Sequence, residues 1–137
     1  MKRLEIHSVE KGYLDPCDLM IHAMFQILVD YVEKENPFKY IDWDYDEQHK
    51  HSASEIKSLY KWWKERLVRK DPYEDVPDRP MEDMFKKISE NLVQFVPCED
   101  PEYLEALDKA GELEEQYDRE DKENMHRLVE IYGCLWT

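Results

Sequence analysis

Glycine and cysteine are both scarce, with three of each in 137 residues. So few glycines argue against a sheet built on tight turns, whereas seven prolines, most of them at joints, suit an all-helical chain with short connections. Cys17, Cys98 and Cys134 lie far apart and form no Cys-x-x-Cys pair, so neither a disulfide framework nor a structural zinc site is indicated, and reduced thiols are expected. No apolar run approaches the roughly 20 residues of a membrane span. The start, MKRLEIHSVEKGYL, has no apolar core of a signal peptide, so a soluble intracellular protein is expected. There is no phosphate-binding P-loop, no Gly-x-Gly-x-x-Gly, no Gly-x-Ser-x-Gly and no His-Glu-x-x-His.

Acid is what the chain has most of. Asp plus Glu number 33 against 19 Lys plus Arg, a formal charge of -14 and a pI near 4.7. Such a chain is repelled by duplex nucleic acid and by anionic membranes, so an anionic ligand needs a local exception. The apolar fraction of 42% and aromatic fraction of 12% supply a core that disordered acidic tails lack. The length fits a single domain, residues 1–137.

The prolines segment the chain. Residues 1–14 carry Leu4, Ile6 and Val9 in loose alternation and read as a short strand or an extended arm. Asp15-Pro16-Cys17-Asp18 is a helix start, and Leu19, His22, Met24, Phe25, Leu28, Val29 and Val32 follow at helical spacing until Asn36-Pro37. Ser52-Ala53-Ser54-Glu55 reads as a capping box for a second helix, which could begin a turn earlier and runs to about Lys70. A proline-broken loop occupies 71–80. Met84, Phe85, Ile88, Leu92 and Phe95 predict a third helix ending before Pro97. From Asp100-Pro101 onward one long helix or two would fit, with Gly111 and the polar run 118–124 as breaks. The expected fold is all-α, a compact bundle of four to five helices, with no strand pairing beyond the N-terminal arm.

The local exception lies in the second helix. Residues 57–70, KSLYKWWKERLVRK, hold six basic residues and one Glu. At 100° per residue, Ile56, Leu59, Tyr60, Trp63 and Leu67 form the core stripe. Lys57, Lys61 and Lys64 flank it on one side, and Trp62, Arg66 and Arg69 on the other. An indole beside two guanidinium groups could stack a base and bind phosphate, so these six residues are the candidate site for an anionic, nucleotide-like ligand. The plainer alternative is neutralisation by 99–123, where twelve carboxylates face three basic residues. The two differ in Trp62, which is packed under a neighbouring helix in one and lines an open pocket in the other.

Weaker patterns remain. Asp42 to His51 concentrates carboxylates and imidazoles, but His49 and His51 would point about 200° apart on a helix and could share a metal only on extended backbone. Glu102-x-x-Glu105, Glu112-x-x-Glu115 and Glu120-x-x-Glu123 resemble the paired carboxylates of all-helical, magnesium-dependent nucleotide pyrophosphohydrolases, yet such pairs arise by chance in a chain this acidic. Glu123-x-x-His126 is half of a di-iron ligand set with no second half. No catalytic residue, metal ligand or cofactor is therefore assigned, and Trp136 reads as a core or interface anchor.

The segment EIKSLYKWWKER followed by Asp71-Pro72, and the terminal MHRLVEIYGCLWT, resemble small proteins of tailed bacteriophages that have no assigned activity. The resemblance runs over much of the chain from about Asp15 to Thr137. It implies a phage origin and a host-cytoplasm location, and its class suggests a non-catalytic antagonist of host defence. Three functions are then in play: a binder of an anionic small molecule on the basic helix, an acidic DNA-mimic-like inhibitor of a host nucleic-acid-binding protein, and a magnesium-dependent hydrolase. The partner is accordingly an anionic small molecule or a host defence protein, and a homo-oligomer that builds its pocket between subunits is compatible with so small a bundle.

Overall fold

The computed structural model describes residues 3–135, except for the side chain of Met81. Residues 3–15 form an extended arm without helix or strand, so the short N-terminal strand is not made. The arm is tied to the first helix, where His7 N donates to Gln26 Oε1 at 3.1 Å and Ser8 Oγ lies 2.7 Å from His22 Nδ1. Trp136 lies outside the described residues.

Helix α1, Pro16–Glu35, starts where proline at the first turn and the N-cap Asp15 place it. It ends because Asn36 turns into the left-handed region at φ 47°, ahead of Pro37. A single turn, α2, Pro37–Tyr40, follows. Helix α3, Glu47–Leu67, begins before the expected capping box, because Asp46 is the cap and accepts from His49 N at 2.7 Å. Ser52 is instead a buried mid-helix residue whose Oγ lies 3.2 Å from Cys134 Sγ.

The predicted helix over 81–96 is corrected. Only α4, Met81–Met84, is helical, and β1, Phe85–Ser89, pairs antiparallel with β2, Leu92–Phe95, in register Phe85 with Phe95. A spacing of three, four and three apolar residues matches a helix. The polar stretch Ser89-Glu90-Asn91, however, turns the chain, and Phe85 and Phe95 then meet across the hairpin with ring centroids 6.1 Å apart. Helix α5, Pro101–Glu130, is a single helix that runs through Gly111 and the polar segment without a break, and a 3-10 turn, Tyr132–Cys134, follows it. The described chain is thus mostly helical, with one small two-stranded sheet. No helix among the described residues is long and apolar enough to cross a membrane.

The chain groups into two compact units. The first comprises residues 1–69 and 119–137, and the second residues 70–118. The core of the first is Phe25 and Leu28 of α1, Ile56, Leu59 and Trp63 of α3, and Leu128 and Ile131 from the end of α5 and just beyond it. Trp63 is 1% exposed and stacks on Phe25, with centroids 4.8 Å and planes 15° apart. Each such side chain contributes about 1.5–3 kcal/mol by leaving water. The expected stripe is therefore buried except for Tyr60, half-buried along its margin, and Leu67, exposed in the last turn. In the second unit the loop 70–80 is folded by turns at Asp71 and Tyr73, and Tyr73 Oη donates to Glu114 Oε2 at 2.6 Å. Ala110 is fully buried there, with Tyr103, Ala106, Leu107, Leu113 and Tyr117 half-buried on the same side of α5.

Candidate functional site

Within the first unit, the basic island of α3 meets carboxylates at nearly every cation. Arg66 reaches Asp121 in bidentate fashion, Nε to Oδ1 at 2.8 Å and Nη2 to Oδ2 at 2.9 Å. Arg69, one turn on, grips the same carboxylate with Nη1 and Nη2 at 3.1 and 3.2 Å. Arg66 also lies over Trp63, 5.1 Å from the ring centroid. Burial by itself would raise the pKa of Asp121, but the hydrogen bonds from Arg66 and Arg69 outweigh it and hold the carboxyl below its usual range.

Trp62 packs against Phe25 at 5.2 Å, and its indole N–H donates to the Glu120 carboxylate. It also lines an open cleft of about 340 Å³, together with Ser58, Lys61, Asn124 and Arg127. The other lining groups are the carboxylates of Glu65, Glu120 and Glu123, so an entering anion would meet more negative charge than positive. Arg127 itself is bound to Glu55 at 2.7 and 3.1 Å, Ser58 Oγ at 3.0 Å and Asn124 Oδ1 at 2.8 Å.

The three lysines do not converge with the arginines. Lys57 Nζ sits 4.7 Å over the Phe38 ring, Lys61 is exposed and 3.9 Å from Glu65, and Lys64 pairs with Glu33 at 3.1 Å. Glu33 also accepts from Tyr60 Oη at 2.7 Å, and these two hydrogen bonds depress its pKa, Tyr60 contributing first. The six candidate residues therefore split into an Arg66–Arg69–Asp121 clamp, an indole tied to Glu120, and lysines with separate contacts.

The metal patterns fare differently from one another. His49 and His51 both lie on helical backbone in α3, where they cannot share an ion, and His49 Nδ1 is 2.7 Å from Asp46. Glu120 turns toward Trp62, while Glu123 and His126 are both exposed on α5. Among the described residues no group of three or more His, Cys, Asp or Glu side chains is arranged to hold a metal ion.

The carboxylates absent from these pairs are concentrated in the second unit. Residues 70–118 hold sixteen carboxylates and five basic side chains, a net -11, which leaves -3 for the first unit. On the first half of α5, Glu105, Asp108, Glu112 and Glu115 are all exposed and fall within a stripe about 80° wide at helical pitch. Ala106, Ala110, Leu113 and Tyr117 take the opposite side. The four carboxylates are spaced on average about 5 Å along the axis, against about 3.4 Å for phosphates along one DNA strand. Glu105 is 3.0 Å from Lys109, a fully solvated pair of small energetic weight.

Sequence reasoning set the whole of 99–123 beside the basic helix as one alternative. Among the pairs described above, the contacts with α3 come from Glu120 and Asp121, with Arg127 further along α5. The signal that could have singled them out is the period of α5, which puts Glu120, Asp121 and Asn124 in line with Tyr117 and Leu128 on its apolar side. No protein-family model, curated protein or solved structure matches the chain.

Proposed function

We propose that the protein is a non-catalytic acidic binder that presents the exposed carboxylate face of residues 102–118 to the basic groove of a nucleic-acid-binding protein, in the place of DNA. The observation that carries this reading is the segregation of charge, -11 in the second unit against -3 in the first. A helix face with regularly spaced, solvated carboxylates gives long-range attraction to a basic surface and costs little desolvation until contact. The resemblance to phage proteins makes a host defence protein the natural target class.

The nucleotide-binding reading of Trp62, Arg66 and Arg69 is the weaker of the two. An anion there would have to displace Asp121 from two guanidinium groups and then lie beside Glu120 and Glu123. A hydrolase would need carboxylates that converge on an ion, and among the described residues no group of three or more does so.

The test is competition. A labelled duplex bound to each of a panel of host DNA-binding proteins is titrated with the protein and followed by fluorescence anisotropy. The wild type is expected to release the duplex from its target, with an affinity that falls as salt rises. The variant Glu105→Gln, Asp108→Asn, Glu112→Gln, Glu115→Gln should compete at least about tenfold more weakly, equivalent to about 1.4 kcal/mol. Equal competition by a variant with an unchanged circular dichroism spectrum would rule out the carboxylate face as the contact.

A further inference from the structure

The hairpin is the apolar exception in the acidic unit. All nine strand residues are exposed, and Phe85, Ile88, Leu92, Val93 and Phe95 are each 44–61% accessible. Residues 85–95 contain Lys86, Lys87 and Glu90, a net +1 inside a unit of -11. The register sets Val93 opposite Lys87 and Phe95 opposite Phe85, so Phe85, Val93 and Phe95 share one face. A two-stranded hairpin is marginal in water, and three or more strands with an apolar face are the usual remedy.

Its two edges are unlike. Strand β1 carries Lys86 and Lys87, the kind of edge charge that discourages further pairing. Strand β2 is Leu-Val-Gln-Phe, with no charge and no proline, and no third strand pairs with it among the described residues.

We infer that a second copy of the chain occupies the β2 edge, the two hairpins joining antiparallel into a four-stranded sheet. A two-fold axis normal to the sheet at Gln94 sets Val93 of one copy opposite Phe95 of the other, a favourable branched–aromatic pair, and Leu92 opposite Val96. Phe85, Phe95 and Val93 of both copies then adjoin on one face, with Lys87 of each copy at its outer margins. Charge favours this element over any other part of the second unit as the self-contact. Two chains of -14 repel wherever acidic surface meets acidic surface, and the hairpin is the segment of that unit where contact adds no negative charge. The dimer therefore strengthens with salt, the opposite of binding to a basic partner, so this inference and the proposed function can fail separately.

The experiment is sedimentation velocity of the full chain up to about 1 mM, at ionic strengths of about 0.01 M and 1 M, where the screening length falls from about 30 to 3 Å. The wild type should show a monomer–dimer equilibrium with the dimer enriched at high salt. Val93→Lys, which places a charge on the edge, should weaken it at least tenfold while leaving the melting temperature of the first unit unchanged. As a second readout, Gln94→Cys should cross-link on oxidation and Lys87→Cys should not, each judged against the wild type. A monomeric wild type at both ionic strengths, undiminished dimer in Val93→Lys, or equal cross-linking from the two cysteine variants would overturn the inference.

Discussion

Replacing Asp121 with Ala would leave two guanidinium groups facing each other across the space of one carboxylate. Arg66 and Arg69 have side-chain exposures of 12% and 23%, and Asp121 of 16%, so solvent reaches all three but covers none. A fully buried pair broken on one side costs about 3–5 kcal/mol. Partial hydration brings this down toward the cost of lost charge-assisted hydrogen bonds, and a loss of about 2–3 kcal/mol is expected. At about 3–4 °C per kcal/mol for a chain of this size, the melting transition should fall by about 8 °C. The assay is thermal and urea unfolding followed by near-ultraviolet circular dichroism, which reports the stacked Trp63. Arg66→Met in the Asp121→Ala background should recover part of the loss, because the surplus cation goes with it, and the cycle should show a coupling of at least about 1 kcal/mol. A loss below about 0.5 kcal/mol, the range of ordinary surface changes, would refute the clamp as a structural element.

Trp63→Ala should cost about 3–5 kcal/mol and leave the first unit largely unfolded at physiological temperature, as read from urea denaturation. Glu55→Gln removes one charge from the half-exposed pair with Arg127 and should cost about 1 kcal/mol, less than Asp121→Ala, measured as a shift of the urea midpoint. Burial and then the charge of Arg66 lower the pKa of His22 from its usual 6.5, so the folded ring takes up its proton at a lower pH than the unfolded one. The unfolded chain takes up the proton first, and stability present above about pH 6.5 is lost as pH falls below it. His22→Gln should flatten that part of the melting-temperature profile. Asp121, with its pKa depressed below 3.8, contributes stability that persists above the unfolded value and disappears as pH falls through the folded one. Asp121→Asn should accordingly weaken the dependence below about pH 4 and, because the Asp121 charge acts to raise the pKa of His22, deepen the loss of stability below about pH 6.5.

The helical character of the chain was legible where local signals and burial agree. Asp15-Pro16 starts α1 and Asn36-Pro37 ends it, and the stripe Ile56, Leu59, Trp63 faces a core as its spacing requires. The hairpin was not legible, because Phe85, Ile88, Leu92 and Phe95 follow a helical period rather than the alternation of a strand, and only the turn at Ser89-Glu90-Asn91 decides against it. The start of α3 was placed late because Ser52 and Glu55 satisfy the pattern of a capping box while Asp46 makes the hydrogen bond. At the site, the sequence located the basic island and named internal neutralisation as one of its two fates. It could not specify which carboxylates approach. Long-range pairing such as Arg66 with Asp121 depends on how two helices pack, and composition along one strand of sequence carries no record of that.

The claim that the basic island is engaged inside the fold, while the acidic face is open to partners, meets its most direct test in residue-resolved NMR titrations. The Trp62 indole N–H, the Arg66 and Arg69 Nε–H, and the backbone amides of 102–118 would be followed on adding first nucleotides and then a lysine-rich peptide. Nucleotides should leave the indole and guanidinium signals in place, and the basic peptide should move the amides around Glu105, Asp108, Glu112 and Glu115 in a salt-sensitive, saturable way. Saturable movement of the Trp62 indole by a nucleotide, with the amides of 102–118 indifferent to the peptide, would contradict it.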